Sequence, residues 1–452
     1  MRVLLLLLVG CAGDRLDTAD TTDSTGPGSP VVVPWTASRT PLAEASPAGR
    51  AWRRGIVHLH SHYSHDACDG DPMPGGVPDE DCLADLRRGL CTNAMDFAMI
   101  TDHPAHAAEQ EWEDLLLSRE GDEVVGGIAN RVACPDGHHV LTMPGIEDEL
   151  MPVGLDRPVA DTFEERDRLY NASGAETLAA EIAAGATVLQ AHTEQQDISV
   201  LLERQANGLA GVELFNLHAM VDPSIREDYL GLESFAYLDA IGPFLTGETD
   251  AEPDLAFLGF YQEQGVSIER WDALARVGPT VGTAGTDAHE NALPNLLSDG
   301  ERVDSYRRMM SWFSNIALVD GDTPEQVQAA IAAGHLFVAF EALGTPTGFS
   351  VTYGAEEMGG SGALGGTLDV TCPTLAPTTP QDGPAPEVSV TVFKDGAAWQ
   401  TDCGSFAVTE PGVYRVRVDI VPHHLVGFLD DQADTLVREY PWLYSNSFRI
   451  GL

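Results

Sequence analysis

Lysine is almost absent from this chain, and positive charge is scarce altogether. Of the 452 residues, 25 are lysine or arginine and 70 are aspartate or glutamate, and Lys394 is the single lysine. The resulting formal net charge of −45 repels nucleic acid and anionic lipid, because both carry dense negative charge. We therefore expect no nucleic-acid partner and no membrane contact that depends on basic side chains.

Long apolar runs are lacking as well. The run at residues 3–9 is too short to span a bilayer, which takes about 20 apolar residues. It follows one arginine and precedes small residues, which is the pattern of a secretory signal. Residues 8–11, L-V-G-C, resemble the bacterial lipobox, in which the cysteine (here Cys11) is lipidated and becomes the mature N-terminus. The alternative is an ordinary signal peptide in which Cys11 is incidental.

The stretch from residue 12 to 50 favours the lipoprotein interpretation. It is rich in Thr, Ser, Asp, Pro and Gly, a composition typical of a disordered, solvated tether. Ala12 follows the cysteine, and by the same resemblance a residue other than aspartate favours sorting to the outer membrane. We therefore expect an exported, lipid-anchored protein on the periplasmic or surface face, attached to the membrane through the lipid alone.

The remaining six cysteines lack the C-x-x-C spacing of zinc ligands. An even number of cysteines in an exported chain favours disulfides. Cys372 and Cys403 stand apart from the others in the C-terminal region, so we expect them to pair. The other four allow three pairings, and the sequence leaves these open: Cys68, Cys82, Cys91 and Cys134.

Short apolar runs alternate with helix-like stretches over residues 51–343. This alternation indicates βα units and a mostly parallel sheet or barrel. From residue 344 to 452 the composition shifts to Thr, Gly, Pro and Val with strand-like alternation, which predicts a β-sandwich-like domain. The clearest strand-like runs are 97–100, 140–143, 187–189, 211–215 and 280–284, and the helix-like stretches are 105–118, 175–184 and 324–333.

Histidines are concentrated directly after the apolar run at residues 55–57. Positions 58, 60, 62 and 65 are all histidine. Because side chains alternate along a strand, His58 and His60 point to the same side, and two imidazoles at a strand's carboxyl end make half of a metal site. Other apolar runs also end in acidic residues or histidine, where parallel βα folds build active sites: Asp102, His103, Glu147, His192, Asp287 and His289.

Taken in order, these segments resemble the motifs of the PHP (polymerase and histidinol phosphatase) superfamily. H-L-H at 58–60, followed by S-x-x-S-x-D up to Asp66, resembles the first motif, and T-D-H at 101–103 resembles the second. P-G-I-E ending at Glu147, A-H ending at His192 and G-T-D-A-H ending at His289 resemble the later motifs. The resemblance implies a metal-dependent phosphoesterase on a distorted (β/α)7 barrel, here followed by the β-sandwich-like domain.

The resemblance also implies two complete metal sites. Neutral imidazoles and carboxylates suit Zn²⁺, Mn²⁺ or Fe²⁺, and Glu147 and Asp287 would be the central catalytic carboxylates, with Glu147 bridging two ions. The implied ligands of the first ion are His58, His60, Glu147 and Asp287, and those of the second are Asp66, His103 and His289.

A third ion is implied only in part. It would share Glu147 with His192 and one more histidine, but M-P at 151–152 stands where the family often has that histidine. Asp148, Glu149 or a water could substitute, or the site could hold two ions. We therefore expect two or three divalent metal ions.

The expected reaction is hydrolysis of a small-molecule, phosphorylated substrate by metal-bound hydroxide. Metal ions lower the pKa of a bound water from about 16 toward about 7 and clamp both oxygens of an in-line displacement. One alternative is a metallohydrolase acting on a non-phosphate bond, because related barrels use similar ligands. The other is a surface binding module with a structural metal cluster, which would lack an open coordination position.

The remaining histidines and Asp102 have simpler interpretations. Asp102 is expected to orient a neighbouring group rather than to bind metal. His62 and His65 could orient a substrate or be ordinary loop residues, and His106 could lie at the rim or on a solvated helix face. The histidines expected to be structural or on the surface are His138, His139, His218, His335, His423 and His424.

Overall fold

The structure is a computed structural model that describes residues 32–46 and 49–452. Cys11, the signal-like segment and the first part of the predicted tether lie outside these residues. Among the described residues, no helix is both long enough and apolar enough to cross a bilayer.

The described end of the predicted tether lies against the body of the molecule. Trp35 Nε1 donates a hydrogen bond to Asp254 at 3.2 Å, and the Arg39 backbone N–H donates to the Thr92 carbonyl at 2.9 Å. The Trp35 ring also packs edge-on against Phe428. The stretch from residue 32 to 46 is therefore held by contacts that its small polar residues did not indicate.

A central sheet carries the first part of the chain. Its strands are β1 (Ala51–Ile56), β2 (Phe97–Asp102), β3 (Glu123–Val125), β4 (Ala129–Ala133), β5 (His139–Ile146), β6 (Leu150–Val153), β7 (Thr187–Gln190), β8 (Gly211–Asn216), β9 (Val281–Gly285), β10 (Ser314–Val319) and β11 (Leu336–Ala339). Strand pairs β1–β2, β2–β5, β7–β8 and β8–β9 are parallel. Strand β6 runs antiparallel between β5 and β7, and β10 lies antiparallel between β1 and β11. Strands β2 and β8 are buried along their whole length, as expected for parallel strands that are covered on both faces.

The residues that follow β1 pair with the residues that follow β9. Leu59 and Ala288 form a parallel bridge. The His60 N–H donates to the Ala288 carbonyl at 3.1 Å, and the Asp287 N–H donates to the His58 carbonyl at 3.1 Å. The two ends of the row β1–β2–β5–β6–β7–β8–β9 therefore meet at the carboxyl ends of their outer strands.

Helices connect these strands. They are α1 (Glu80–Thr92), α2 (Pro104–Ala107), α3 (Trp112–Leu115), α4 (Phe163–Tyr170), α5 (Ala175–Ala183), α6 (Ile198–Ala206), α7 (Leu217–Val221), α8 (Pro223–Asp228), α9 (Leu238–Thr246), α10 (Phe257–Phe260), α11 (Gly265–Val277), α12 (Tyr306–Trp312) and α13 (Pro324–Ala332). Helix α13 starts with a capping box, in which the Thr323 side chain and the Gln326 side chain each accept from the other's backbone N–H, and Pro324 occupies the first turn, where its missing donor is not needed.

One predicted helix is divided into two. The stretch 105–118 has a helical pattern, but the structure places the short helices α2 and α3 there with a turn between them. The Glu109 and Gln110 N–H groups donate to the carbonyls three residues earlier, as in a turn. Arg166 of α4 donates to the Ala108 carbonyl at 2.9 Å, so a contact from an element distant in sequence accompanies the break.

The C-terminal region is mostly antiparallel strands. Its elements are β12 (Pro346–Thr347), β13 (Ser350–Tyr353), β14 (Glu356–Glu357), β15 (Ser361–Gly362), β16 (Thr367–Thr371), β17 (Thr374–Leu375), β18 (Glu387–Lys394), β19 (Ala397–Thr401), β20 (Gly404–Ala407), β21 (Gly412–Val421), α14 (Val426–Leu429), α15 (Ala433–Leu436), β22 (Tyr440–Ser445) and β23 (Phe448–Ile450). Strands β14, β13, β16 and β20 form one antiparallel sheet. Strand β22 pairs with both β21 and β11, so sheet hydrogen bonds cross the predicted boundary at residues 343–344.

Three disulfides link the six cysteines that lie in the described residues. Cys372 pairs with Cys403, which joins the turn after β16 to the turn before β20. Of the pairings that the sequence left open, the structure has Cys68 with Cys82 and Cys91 with Cys134. The Cys68–Cys82 disulfide links the start of the acidic loop after Asp66 to α1, so the two ends of the loop are covalently joined.

Candidate metal centre

Side chains from the carboxyl ends of five strands meet in one place. These ends lie at the same edge of the sheet because their strands run parallel, and Asp66 reaches the same place from the segment just before the disulfide-closed loop. Most of the side chains are buried, with His58 and His60 fully so. The residues at the strand ends are His58 and His60 after β1, His103 after β2, Glu147 after β5, His192 after β7, and Asp287 and His289 after β9.

Asp287 lies at the middle of this group and is 4% exposed. Its backbone has φ 51°, in the left-handed region that residues with a Cβ rarely adopt, so the chain is bent to bring the carboxylate inward. Five imidazoles surround the carboxylate. Oδ1 lies 3.3 Å from His58 Nε2, 3.2 Å from His60 Nε2 and 3.3 Å from His289 Nδ1, and Oδ2 lies 3.2 Å from His192 Nε2 and 3.4 Å from His218 Nδ1.

Asp66 is the second carboxylate around which imidazoles gather, and it lies beside the group around Asp287. Its Oδ1 lies 3.7 Å from His103 Nε2 and 3.4 Å from His289 Nε2. Ser64 Oγ donates to the same carboxylate at 3.1 Å and accepts from the His103 backbone N–H at 3.2 Å. The exposed His65 stands at the edge, 3.9 Å from Asp66 Oδ1. Asp66, His103 and His289, which the sequence analysis grouped around one ion, therefore lie together.

Each histidine expected as a ligand is held by its Nδ1 atom. These partners accept a hydrogen bond, and Ser64 Oγ does so too because its own hydrogen is donated to Asp66. Nδ1 therefore carries the hydrogen, and Nε2 presents its lone pair to the centre. The Nδ1 partners are the Glu213 carboxylate for His58 (2.7 Å), Ser64 Oγ for His60 (3.1 Å), the Glu147 carbonyl for His103 (2.9 Å), the Glu194 carboxylate for His192 (3.1 Å) and the Asp287 carbonyl for His289 (2.9 Å).

Several buried imidazole nitrogens at this centre lack a suitable hydrogen-bond partner, and a cation bound between them would satisfy them. His58 Nε2 and His60 Nε2 face each other at 2.9 Å, and the buried His289 Nε2 has no hydrogen-bond partner among the described residues. Two ligand atoms bound about 2.1 Å from a tetrahedral ion lie about 3.4 Å apart. The distances from His58 Nε2 and His60 Nε2 to Asp287 Oδ1, 3.3 and 3.2 Å, are close to this value. The residues fit a divalent cation.

The local field also attracts positive charge. Burial opposes a charge on His58, but Asp287 and Glu213 outweigh burial and raise its pKa well above the usual value. Burial disfavours the charged form of Asp287 too, yet His58, His192 and His218 hold its pKa well below the usual range. A proton and a metal ion compete for the same lone pair, so a site that raises the pKa of His58 in this way also favours a cation at Nε2.

Glu147 lies between His192, which is near Asp287, and His103, which is near Asp66. Its Oε1 is 3.9 Å from His192 Nε2, and its Oε2 is 2.7 Å from His103 Nδ1. The second contact lacks hydrogen-bond geometry, because His103 Nδ1 is directed at the Glu147 carbonyl instead, and Oε2 is buried without a hydrogen-bond partner. No hydrogen bond therefore competes with a metal ion for Oε2 of Glu147.

Asp102 and His62 lie next to the centre but have other partners. Asp102 accepts from Ser61 Oγ at 2.6 Å and from the Ser61 N–H. Burial raises the pKa of Asp102 to about 6, against the lowering effect of these hydrogen bonds. His62 is directed away, and its Nδ1 donates to the Asp79 carbonyl at 2.9 Å. Asp102 thus secures the loop after β1, in the orienting role that the sequence analysis expected.

Two site residues were missed by the sequence analysis. Glu213 is buried in β8, where it holds His58 and also accepts from the His192 backbone N–H at 2.9 Å. His218 was expected to be structural or on the surface, yet its Nδ1 faces Asp287. Both had a signal in the sequence: a glutamate inside a buried strand needs a partner, and His218 follows a strand end as the other histidines do.

Comparison with known proteins gives distant structural likeness only. No protein-family model matches the chain, and no curated protein matches it. One similar solved structure is PsfC from Pseudomonas syringae PB-5123, with a TM-score of 0.34 and 15% identity, covering 62% of this chain and 90% of that chain. Another is a two-domain protein from Bacteroides vulgatus ATCC 8482 containing a predicted PHP-like metal-dependent phosphoesterase, with a TM-score of 0.33 and 9% identity, covering 89% of this chain and 98% of that chain.

Proposed function

We propose that this protein is a metal-dependent phosphoesterase of the PHP type. The observation that carries the proposal is the common orientation of five histidines, each held at Nδ1 by an acceptor or hydroxyl, with Nε2 directed toward Asp287 or Asp66. Histidines that only fill a core have no reason to share one orientation around two carboxylates. Metal-binding histidines do, because the second hydrogen bond fixes the tautomer that can bind the ion.

The two proposed metal sites correspond to the groups of side chains around Asp287 and around Asp66. The first ion would be held by His58, His60 and Asp287, with Glu147 as the bridging carboxylate. The second would be held by Asp66, His103 and His289. Zn²⁺, Mn²⁺ or Fe²⁺ suits this mixture of imidazoles and carboxylates. When bound, such ions supply a nucleophile at neutral pH and stabilise the charge that develops on phosphoryl oxygens.

The chain's own residues position this machinery. Glu213 fixes the ring of His58, and Ser64 fixes both His60 and Asp66 through one hydroxyl. Asp102 anchors the loop between them by accepting two hydrogen bonds from Ser61. Such second-layer contacts hold reactive groups within the small tolerance that catalysis needs.

The substrate class follows from charge. The protein has a net charge of −45, so a large polyanion is repelled over most of the surface. Cations at the centre would reverse the field locally, which favours a compact anionic group such as a phosphoester on a small molecule.

We further propose that the strands around the centre form the distorted seven-stranded barrel of that superfamily, followed by a β-sandwich-like domain. The barrel is supported by the row of pairings from β1 to β9 and by the Leu59–Ala288 bridge between its ends. The C-terminal part is supported by its antiparallel sheets.

Removal of metal should abolish the activity reversibly. Dialysis of the purified protein against a strong chelator should reduce hydrolysis of chromogenic phosphomonoesters and phosphodiesters to background, and Zn²⁺, Mn²⁺ or Fe²⁺ should restore it. Elemental analysis before and after dialysis measures the ions lost. Activity of the metal-loaded protein on carboxylic esters or amides alone would replace the phosphoesterase by another metallohydrolase. Metal content without hydrolysis of any of these substrates would indicate a binding module.

We also propose that the protein is exported and lipid-anchored at Cys11, on the strength of the lipobox-like residues 8–11. Cys11→Ser removes the thiol that takes the lipid, so this variant should move from the membrane fraction to the soluble fraction and lose lipid label. Ala12→Ser, which changes the next residue and keeps the thiol, should stay with membranes. A Cys11→Ser variant that remains membrane-bound with undiminished lipid would refute the proposal.

A further inference from the structure

His218 faces the centre through a locally built support. Helix α7 begins directly after β8, and the Asn216 side chain caps it by accepting from the Ala219 N–H at 3.1 Å. The same amide donates to Asp287 Oδ2 at 3.2 Å. The start of α7 is therefore tied to the central carboxylate, which places His218 at a defined distance from it.

His218 and His192 converge on one oxygen. His218 Nδ1 lies 3.4 Å and His192 Nε2 lies 3.2 Å from Asp287 Oδ2. Their rings are 6.0 Å apart and inclined at 79°, so they do not stack. The distances from the two nitrogens to Asp287 Oδ2 match the separation of about 3.4 Å between two ligand atoms that lie about 2.1 Å from a tetrahedral ion.

The second nitrogen of His218 also has a carboxylate in front of it. Nε2 lies 4.0 Å from Asp222 Oδ2, and Asp222 is itself fixed because it caps α8 by accepting from the Ser224 and Ile225 N–H groups at 2.8 and 2.9 Å. This distance is too long for a hydrogen bond, but the negative charge of Asp222 favours a hydrogen on Nε2, and in that tautomer the lone pair is on Nδ1, which faces Asp287. The other histidines differ in that a hydrogen bond holds the nitrogen that faces away from the centre.

The position where the family often has the missing histidine offers no imidazole here. Met151, at that position, lies in β6 and has no exposed surface. Glu149, one of the substitutes that the sequence left open, pairs with Arg204. His218, after β8, is a further candidate for the ligand that the resemblance expects after Glu147.

We propose that His218, His192 and Asp287 hold a third divalent cation beside the first two. The inference rests on the proposed function, which needs only the first two ions. Three protein ligands leave a coordination position open, as in catalytic sites. His218 has 45% of its side-chain surface exposed, so this ion would be on the accessible side, where it can meet an anionic substrate and exchange most readily.

The test is metal stoichiometry of the full chain. Protein equilibrated with micromolar Zn²⁺ should contain three ions per chain by elemental analysis. His218→Ala should contain two, with the affinity for the third equivalent lowered about 10–100-fold or more, and should keep measurable hydrolysis. His139→Ala, an exposed histidine at the start of β5, should keep all three ions. Circular dichroism should be unchanged in both, since His218 is half-exposed.

The outcomes separate the two proposals. Equal metal content in wild type and His218→Ala, whether two or three ions, would overturn the third site and leave the proposed function standing. A wild type that takes up no metal would overturn both. Loss of one ion in His218→Ala with the other two retained would support the site, and His192→Ala should then lose the same ion.

Discussion

Replacing Asp287 with asparagine should remove metal from the centre and abolish hydrolysis. The carboxylate is the group that five imidazoles share, and asparagine keeps its shape but loses the negative charge that holds cations there. Loss of one charge-stabilising group typically costs about 10²–10³ in kcat, and Asp287 serves more than one proposed ion, so we expect a loss of at least about 10³-fold.

The measurement combines elemental analysis with kinetics on the best phosphoester found for the wild type. Asp434→Asn, the same chemical change at an exposed position in α15, should keep metal and turnover. Circular dichroism and urea unfolding should show a folded Asp287→Asn protein, because its stability comes mainly from the buried core. Full metal occupancy with unchanged turnover in Asp287→Asn would be incompatible with the proposed centre.

The sequence was most informative about the strands that carry the centre. The apolar runs at 97–100, 187–189 and 211–215 correspond to β2, β7 and β8, because buried parallel strands are nearly continuous apolar segments. Polar residues that end such runs stand out, and parallel strand ends converge. The strand ends marked His58, His60 and Asp287 as candidates, and the motif resemblance grouped them around one ion.

Other parts of the site depend on contacts that local patterns do not encode. Glu213 lies within a strand instead of at its end, so the motif resemblance passed over it. His218 follows a strand end, as the other histidines do, but it lies in the first turn of α7, and its contact with Asp287 depends on how that helix is placed. The disulfides Cys68–Cys82 and Cys91–Cys134 could not be chosen from the sequence, because four cysteines allow three pairings.

The joining of the C-terminal strands to the central sheet was also beyond reach of the sequence. Strand β22 pairs with β11 about 100 residues earlier, for example Phe337 with Ser445. Strand-forming patterns indicate that each segment is extended, but they do not indicate the partner. The composition change near residue 344 suggested separate domains, and the hydrogen bonds across it are set by tertiary packing.

A buried ion pair outside the centre, Arg54 with Glu341, gives the largest expected effect on stability. Arg54 lies in β1 and is 0% exposed, and Glu341 follows β11 and is 3% exposed. Two hydrogen bonds of 2.9 Å join them, and Glu341 also accepts from Ser314 Oγ at 2.6 Å and Thr345 Oγ1 at 2.9 Å. Arg54 further donates to the Thr40 carbonyl at 2.8 Å, which secures the stretch before β1.

Arg54→Leu should lower the free energy of unfolding by about 3–5 kcal/mol, because it leaves a buried carboxylate without its main counter-charge. Urea unfolding at neutral pH measures the loss. The matched control is Arg53→Leu. Arg53 has 32% of its side chain exposed, and its Nη1 lies 3.6 Å from Asp96 Oδ1, so we expect this variant to change the free energy of unfolding by less than about 1 kcal/mol. Equal destabilisation by the two variants would show that the buried pair has no special role.

Acidification should narrow the difference in the free energy of unfolding between the wild type and Arg54→Leu. Burial by itself raises the pKa of Glu341, but Arg54 and Arg39 outweigh it and lower the pKa to about 2. In the wild type this stability is present above the ordinary glutamate pKa of about 4.3 and is lost as the pH falls toward 2. Without Arg54, burial favours the protonated acid, so the variant loses less on acidification. Adding Glu341→Gln to Arg54→Leu removes the stranded charge while keeping an acceptor for Ser314 and Thr345. The double variant should therefore be more stable than Arg54→Leu at neutral pH. The pH dependence of its own free energy of unfolding should lack the contribution that titration of Glu341 makes in the wild type.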